Sequence, residues 1–354
     1  MDLKVTRCED ERLPDVGLFF KKQYKGRGAY GSLSLFHWKI RENYLHAGFV
    51  NLVWDGETIA ATTSITGKRV LLHGSPRASA EIGDTYTDAA YQRRGLFSML
   101  VNQSRTEAEQ SGMRFIYGTP NTQSLPGYLK NARFDVVPQL AVFAWVFPVN
   151  VESLLRERIY AFPASLLAAL GEFFLHSRFR LKRAIVRGKS LVELREEACV
   201  PGDWDVFWAD ASRDHDFILD RSMEALEWRF FRNPNDYRFV TLRKRGEIVG
   251  LLISRWVTDA TFGTQLVIAD FLTKKGEEGS LLPAVSALVE EAFAVGATTV
   301  SAWLSDHSGF APVFRKLGFL KRSAVPVIAY MNDAYQELST VKAPHFTMAD
   351  SDNV

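Results

Sequence analysis

Cysteine is scarce in this chain of 354 residues: only Cys8 and Cys199 occur. Two are too few for a disulfide framework or a zinc cluster, so both are expected to be free and structural, and a reducing cytoplasm is the simplest setting. The seven histidines are scattered without an i, i+4 pair, and no Cys-x-x-Cys occurs; no metal is expected. Excess charge is also lacking, because 43 basic residues face 41 acidic ones for a formal charge of +2. That balance argues against general affinity for nucleic acid or an acidic membrane, so any anion site has to be local. The run Met1–Arg7 has no apolar core and does not read as a signal peptide. The most apolar helical run, 165–174, is interrupted by Glu172 and is too short to span a bilayer. Neither a Gly-x-Ser-x-Gly elbow nor a Walker-type glycine-lysine-serine run appears.

What is present suits an ordinary globular protein: 47% hydrophobic and 24% charged residues, with length for about two domains. The chain also repeats itself. Leu35-Phe36-His37-Trp38-Lys39 followed by Asn43 returns 190 residues later as Ala225-Leu226-Glu227-Trp228-Arg229 followed by Asn233. At the same offset Phe49–Leu52 with Gly56-Glu57 matches Phe239–Leu242 with Gly246-Glu247, and each block reads as a hairpin. Farther on, Gly95 falls opposite Gly279, and Gly112 opposite Gly296. Each half then reads strand, turn, amphipathic helix (96–110; 281–295), strand (115–118; 299–304), short helix and strand. Between the halves, 151–199 reads as a helical connector, and the tail from Lys342 is expected to fray.

One stretch carries the first functional signal. Tyr91-Gln92-Arg93-Arg94-Gly95-Leu96-Phe97 joins the strand-like run Thr85-Tyr86-Thr87 to the helix that starts at Leu96. A turn centred on Gly95 aims successive backbone N–H groups at one spot, and the first turn of the helix adds its own orphan donors and partial positive charge. An anion, most naturally a phosphate, belongs there.

The order of elements around this turn resembles the GNAT superfamily of acyl-CoA-dependent N-acyltransferases. The family signature V-x-P-x-Y-(R/Q)-x-x-G-x-(G/A) is met by Thr87-Asp88-Ala89-Ala90-Tyr91-Gln92-Arg93-Arg94-Gly95-Leu96-Phe97, with Phe97 in place of the final small residue. Asn121, the short helix near 124–130 and Phe134 follow as the family's later features do. The resemblance is strong over 50–135 and weaker over 222–330. It implies an α/β protein of two tandem GNAT-like domains, each a mixed, mostly antiparallel sheet flanked by helices: 1–148 binding acyl-CoA, a connector over 149–199, and a degenerate copy over 200–354 forming a wall of the acceptor site. It further implies that Thr85, Tyr86 and Thr87 receive the pantetheine arm, that Gln92, Arg93, Arg94, Gly95, Leu96 and Phe97 take the coenzyme A pyrophosphate, and that Asn121 contacts the cofactor. Tyr128 is the candidate acid for the departing thiolate when counted from Asn121; counted back from Phe134, Leu129 takes that position. In the second half Lys274-Lys275-Gly276-Glu277-Glu278-Gly279-Ser280 replaces the phosphate turn, and two glutamates there would repel a pyrophosphate. One cofactor per chain is therefore expected.

Acyl transfer to an amine needs a proton acceptor, and Glu81, Asp84 and Asp88 flank the strand, Asp84 best placed just before its splay. A backbone N–H of Thr85–Thr87 would hold the developing oxyanion. Tyr24, Trp38 and Trp228 are candidate stacking surfaces for the acceptor. The tandem layout resembles enzymes that acylate nucleotide-linked amino sugars of bacterial surface-polysaccharide pathways. An antibiotic, polyamine or protein amine is the alternative acceptor, and a non-catalytic acyl-CoA-binding protein the alternative class; no nucleic-acid or membrane partner is expected.

Overall fold

The computed structural model describes residues 3–23, 33–150, 177, 179, 191–259, 263–305 and 307–352. Tyr24 and most of the expected connector, 149–199, lie outside the described residues. Among those described, no helix is long and apolar enough to cross a membrane.

The protein is α/β, with two mixed sheets. In the first the path runs Val5–Arg7, Gly48–Asp55, Thr58–Leu72, Ser75–Thr87, Phe115–Gly118, Ile328–Tyr330, Phe134–Val136. In the second it runs Leu320–Val325, Val142–Pro148, Thr299–Leu304, Gly263–Thr273, Glu247–Asp259, Arg238–Lys244, Glu193–Glu196. The repeated sequence blocks become equivalent elements. Gly48–Asp55 and Thr58–Leu72 form one hairpin, Arg238–Lys244 and Glu247–Asp259 the other. The amphipathic helices Leu96–Gln110 and Leu281–Ala294 each bury one face against their own sheet.

Each half lends a strand to the other. Val142–Pro148 leaves the first half and pairs antiparallel with both Thr299–Leu304 and Leu320–Val325. Ile328–Tyr330 returns from the second half and pairs antiparallel with both Phe115–Gly118 and Phe134–Val136. Neither sheet is continuous without the other half's strand.

The Trp-basic pair of the repeat marks the seam. Trp38 ends a helix, Leu33–Ile40, while Trp228 lies on a π-helical turn, Glu227–Phe231. The two indoles stack with centroids 4.7 Å apart and planes 11° from parallel. The Trp38 indole N–H donates to the Trp228 carbonyl at 2.7 Å, and the Trp228 indole N–H to the Trp38 carbonyl at 3.2 Å. Both side chains are buried to 2% exposure or less. This corrects the expectation that Trp38 and Trp228 stack on an acceptor: both faces and both N–H groups are spent on holding the halves together.

The tail is a second correction. Instead of fraying, the chain from Pro344 crosses back between the halves, with His345, Thr347, Asp350 and Ser351 all buried. A capping box at Thr347, in which Asp350 accepts the Thr347 backbone N–H at 2.7 Å, gives the segment a rigid turn. Its acidic and hydroxyl residues suggest solvent in sequence, yet they are the polar groups that answer buried cations.

Because the halves share strands and the tryptophan seam, Trp228→Ala is expected to cost about 3–5 kcal/mol and to unfold both halves in one transition. Urea denaturation followed in parallel by circular dichroism and tryptophan fluorescence checks this; two separated transitions would contradict it.

Candidate active site

The first sheet opens where a ladder ends. Ser75–Thr87 runs parallel to Phe115–Gly118 only through Ser79–Glu81, paired with Phe115–Tyr117. On its other side the pairing with Thr58–Leu72 slips between Thr62 and Ser64. Opposite that slip Asp84 has φ +48°, a left-handed conformation that a non-glycine residue adopts only when its surroundings hold it. The bulge turns the strand away from its parallel neighbour. At the apex a side chain on Gly118 would lie 3.0 Å from the Ile82 carbonyl, so glycine lets the strands meet before they part. The resulting cavity, about 190 Å³, is lined by Glu81, Asp84, Thr85, Asn121, Tyr128 and Asp352 among others.

At the mouth of the opening lies the glycine turn. Gly95 precedes the helix Leu96–Gln110 with φ +77°, and a Cβ there would meet nothing within 4 Å. The Gly95 position itself is therefore unobstructed, and the orphan N–H groups of the first helical turn have no i−4 acceptor in the helix. Gln92, Arg93 and Arg94 are exposed around it. Arg93 also takes a left-handed conformation, and the Arg94 guanidinium sits over the Tyr91 ring, 5.3 Å from its centroid. The Tyr91 hydroxyl donates to Asp55 at 2.7 Å, tying the turn to the neighbouring hairpin. Phe97, the departure from the family pattern, turns its ring away from the anion position. It packs edge-on against Tyr128, 5.1 Å between centroids, over Gly127, where a Cβ would sit 2.7 Å from the ring.

That packing, with Phe134 on the other side at 5.2 Å, fixes Tyr128. Its hydroxyl reaches the cavity and shares a hydrogen bond of 2.7 Å with the Thr85 hydroxyl, which in turn lies 2.6 Å from that of Thr63. Burial raises the Tyr128 phenol well above its ordinary range, so it holds its proton through neutral pH. Asn121 folds the turn that leads into the helix bearing Tyr128: its side-chain oxygen accepts the backbone N–H groups of Gln123 and Ser124 at 3.0 and 2.9 Å. Tyr86 packs toward Phe19 and Phe20. Gln92 donates to the Thr87 carbonyl at 3.4 Å.

The inner end of the cavity is a buried charge cluster. Asp84 accepts Lys39 Nζ and the Ser64 hydroxyl on one oxygen, each at 2.6 Å. Asp352 accepts Lys68 Nζ at 2.6 Å and an Arg229 N–H at 2.9 Å, and lies 3.4 Å from Lys39 Nζ. Glu81 is only 3% exposed, stands 3.5 Å from Lys68 Nζ and accepts the Asp352 backbone N–H at 2.9 Å. Burial pushes the Glu81 carboxyl up to about 7; Asp352 adds to the push, while Lys68 and Lys39 oppose it. Sequence reasoning named Glu81 and Asp84 but missed Lys39, Lys68, Arg229 and Asp352. The available signal was the repeat: Lys39 and Arg229 are its two basic residues, and both turn to Asp352.

The second half holds the counterpart of the bulge with its carboxylate already paired, while a cavity of about 720 Å³ remains beside its loop, lined by Lys244, Gly276, Glu277, Gly279 and Ser280. Asp270 is the counterpart of Asp84, beside a register slip between Ile253 and Ser254. It is occupied by Arg221, which donates to both its oxygens at 2.9 and 3.0 Å, and by the Thr347 hydroxyl at 2.9 Å. His345 packs between Phe271 and Phe310, 5.7 and 5.6 Å between ring centroids. In the loop ahead of the helix, the Glu278 carboxylate accepts the Gly276 N–H at 3.1 Å, and Glu277 pairs with Lys244 and Ser280. Two carboxylates thus stand in the loop that takes the place of the first half's glycine turn.

A family model described as an acetyltransferase (GNAT) domain matches residues 19–131. No curated protein matches the chain significantly in sequence. Solved structures share the fold across nearly the whole chain. A GCN5-related N-acetyltransferase from Anabaena variabilis aligns with TM-score 0.61 at 12% identity, covering 94% of this chain and 74% of that one. The N-myristoyltransferase of Saccharomyces cerevisiae with bound myristoyl-CoA aligns with TM-score 0.61 at 11% identity, covering 92% and 81%. A fungal GCN5-related glucosamine N-acetyltransferase region, part of a multi-domain GH3 β-N-acetylglucosaminidase, aligns with TM-score 0.57 at 10% identity, covering 93% of this chain and 38% of that one.

Gly95→Glu would place a carboxylate in the unobstructed position at the helix end. It is expected to abolish coenzyme A binding in titration calorimetry while the circular dichroism spectrum is kept; unchanged affinity would remove the anion site from this turn.

Proposed function

We propose that this chain, an acyltransferase of the GNAT superfamily, moves an acyl group from acyl-CoA to the primary amine of a small molecule, a nucleotide-linked amino sugar of a bacterial surface-polysaccharide pathway, with acetyl or another short chain as the acyl group. The observation that carries the transfer reading is the meeting, in one cavity at a splayed strand pair, of a buried carboxyl from the strand and a buried phenol from the helix Leu125–Asn131. The amino-sugar acceptor extends this reading, supported by the glucosamine N-acetyltransferase region among the structures of like fold.

The turn at Gly95, clear at the glycine and followed by a helix N-terminus, suits a pyrophosphate. With the cofactor's phosphates held there, its arm would lie along Thr85–Thr87 and bring the thioester beside the bulge. Holding the amine next to it removes much of the entropic barrier. The attacking amine has to shed a proton. Asp84 was the foremost candidate from sequence, but its Oδ2 is engaged by Lys39 and Ser64. Glu81, whose nearest cation, Lys68, stands 3.5 Å away and which is pushed up to about 7, is the better acceptor. A strand N–H on Thr85–Thr87 holds the oxyanion, and Tyr128 donates its proton to the departing thiolate through a hydroxyl already fixed by Thr85. Arg229 and Asp352 bring the second half and the tail to the acceptor end.

The test is release of free thiol from acetyl-CoA on mixing with a panel of amines that includes nucleotide-linked amino sugars. Turnover confined to another amine class would replace the acceptor, and none at all would remove the enzymatic reading in favour of acyl-CoA binding alone. Tyr128→Phe is expected to lower kcat about 10²- to 10⁴-fold with coenzyme A affinity kept. A base acts only when deprotonated, so kcat/KM is expected to rise as pH passes through about 7, and Glu81→Gln to remove that limb.

A further inference from the structure

The cations at the inner end of the cavity are distributed unevenly between two neighbouring carboxylates. Asp352 holds two of them by hydrogen bonds and a third at 3.4 Å. Glu81 has one cation within 4 Å, Lys68 at 3.5 Å, feels Lys39 and Arg229 from farther off, and lies near Tyr117 on the next strand and Tyr128 across the cavity. We propose that Asp352 is a positioning residue for Glu81: arriving from the far end of the chain, it gathers Lys68, Arg229 and Lys39 onto itself and presents its backbone N–H to the Glu81 carboxylate. Glu81 then stays oriented but free to exchange a proton with the acceptor amine. This rests on reading the cavity as an acyl-transfer site.

Delivery of Asp352 is built into the second half's counterpart of the bulge. Arg221, 2% exposed, bridges Asp270 on the second sheet to Asp350 at 3.0 Å. From the first sheet the Tyr117 hydroxyl donates to the Asp350 carbonyl at 2.6 Å, and the Thr119 and Ser351 hydroxyls lie 2.7 Å apart. One residue beyond this clamp Asp352 enters the first cavity. Without its charge Lys68 and Arg229 lose their hydrogen-bonded carboxylate, Lys39 is left with Asp84, and the field of the three turns on Glu81 and Asp84. Two effects then act on Glu81 in one direction: a repelling anion is gone and attracting cations are released. Both favour its ionised form.

The proposal is tested on the full-length chain labelled with carboxyl-13C glutamate, following the Glu81 resonance by NMR from about pH 4 to 9, with Glu81→Gln to identify it. The wild-type midpoint is expected near 7, and in Asp352→Asn a unit or more lower, which is tenfold or greater in proton affinity. An equal midpoint in the two proteins would overturn the proposal. So would a wild-type midpoint at the ordinary 4.5, which needs no variant and so holds even if Asp352→Asn fails to fold. The titration uses neither acceptor nor turnover, so absence of transferase activity and failure of this proposal are distinguishable.

Discussion

Strands cross between the halves, Val142–Pro148 into the second sheet and Phe217–Leu219 and Ile328–Tyr330 into the first, and the remaining features of the structure follow from that exchange. Val142–Pro148 completes the second sheet and Ile328–Tyr330 the first, so the chain crosses the seam in both directions. After its return crossing the chain is left beside the first sheet, from which the last residues run between the halves. The stacked tryptophans at the seam are the repeat's own residues meeting each other. Backbone pairing and indole contacts thus hold in one arrangement a pair of clefts that face the same segment of tail.

The tail treats the two clefts differently, which separates function from scaffold. In the second half it supplies Thr347 and Asp350 to Arg221 and Asp270, and packs His345 among aromatic rings. In the first it meets Tyr117 and Thr119 through Asp350 and Ser351, sets Asp352 at the inner end, and leaves a cavity. Burying this many charges is costly unless each is paired, and here the pairing crosses the chain, with Lys39 and Lys68 from the first half and Arg229 from the second converging on one aspartate. Breaking one pair leaves a buried charge alone, so the cluster favours one placement of the tail.

The sequence made much of this legible where periodicity and glycine set the backbone. The helix Leu96–Gln110, the strands Phe115–Gly118 and Thr299–Leu304, and both hairpins stand where their patterns put them. Gly95 was legible because only a few residue types accept its conformation. Two things were hidden. Strand exchange leaves no local mark, since Val142–Pro148 has the same apolar character whichever sheet receives it. Trp38, Trp228 and the acidic tail were misread because aromatic rings and carboxylates look alike whether they face a ligand or each other. The 190-residue offset pairing Trp38 with Trp228 was the missed clue, since duplicated residues near a pseudo-twofold axis meet their own copies.

The central claim is that the first half, with its glycine turn, receives coenzyme A and the second, with Glu277 and Glu278 in the matching loop, does not. Native mass spectrometry of the full-length protein titrated with coenzyme A tests it most directly. The account predicts saturation at one molecule per chain; two per chain, or none, would contradict it.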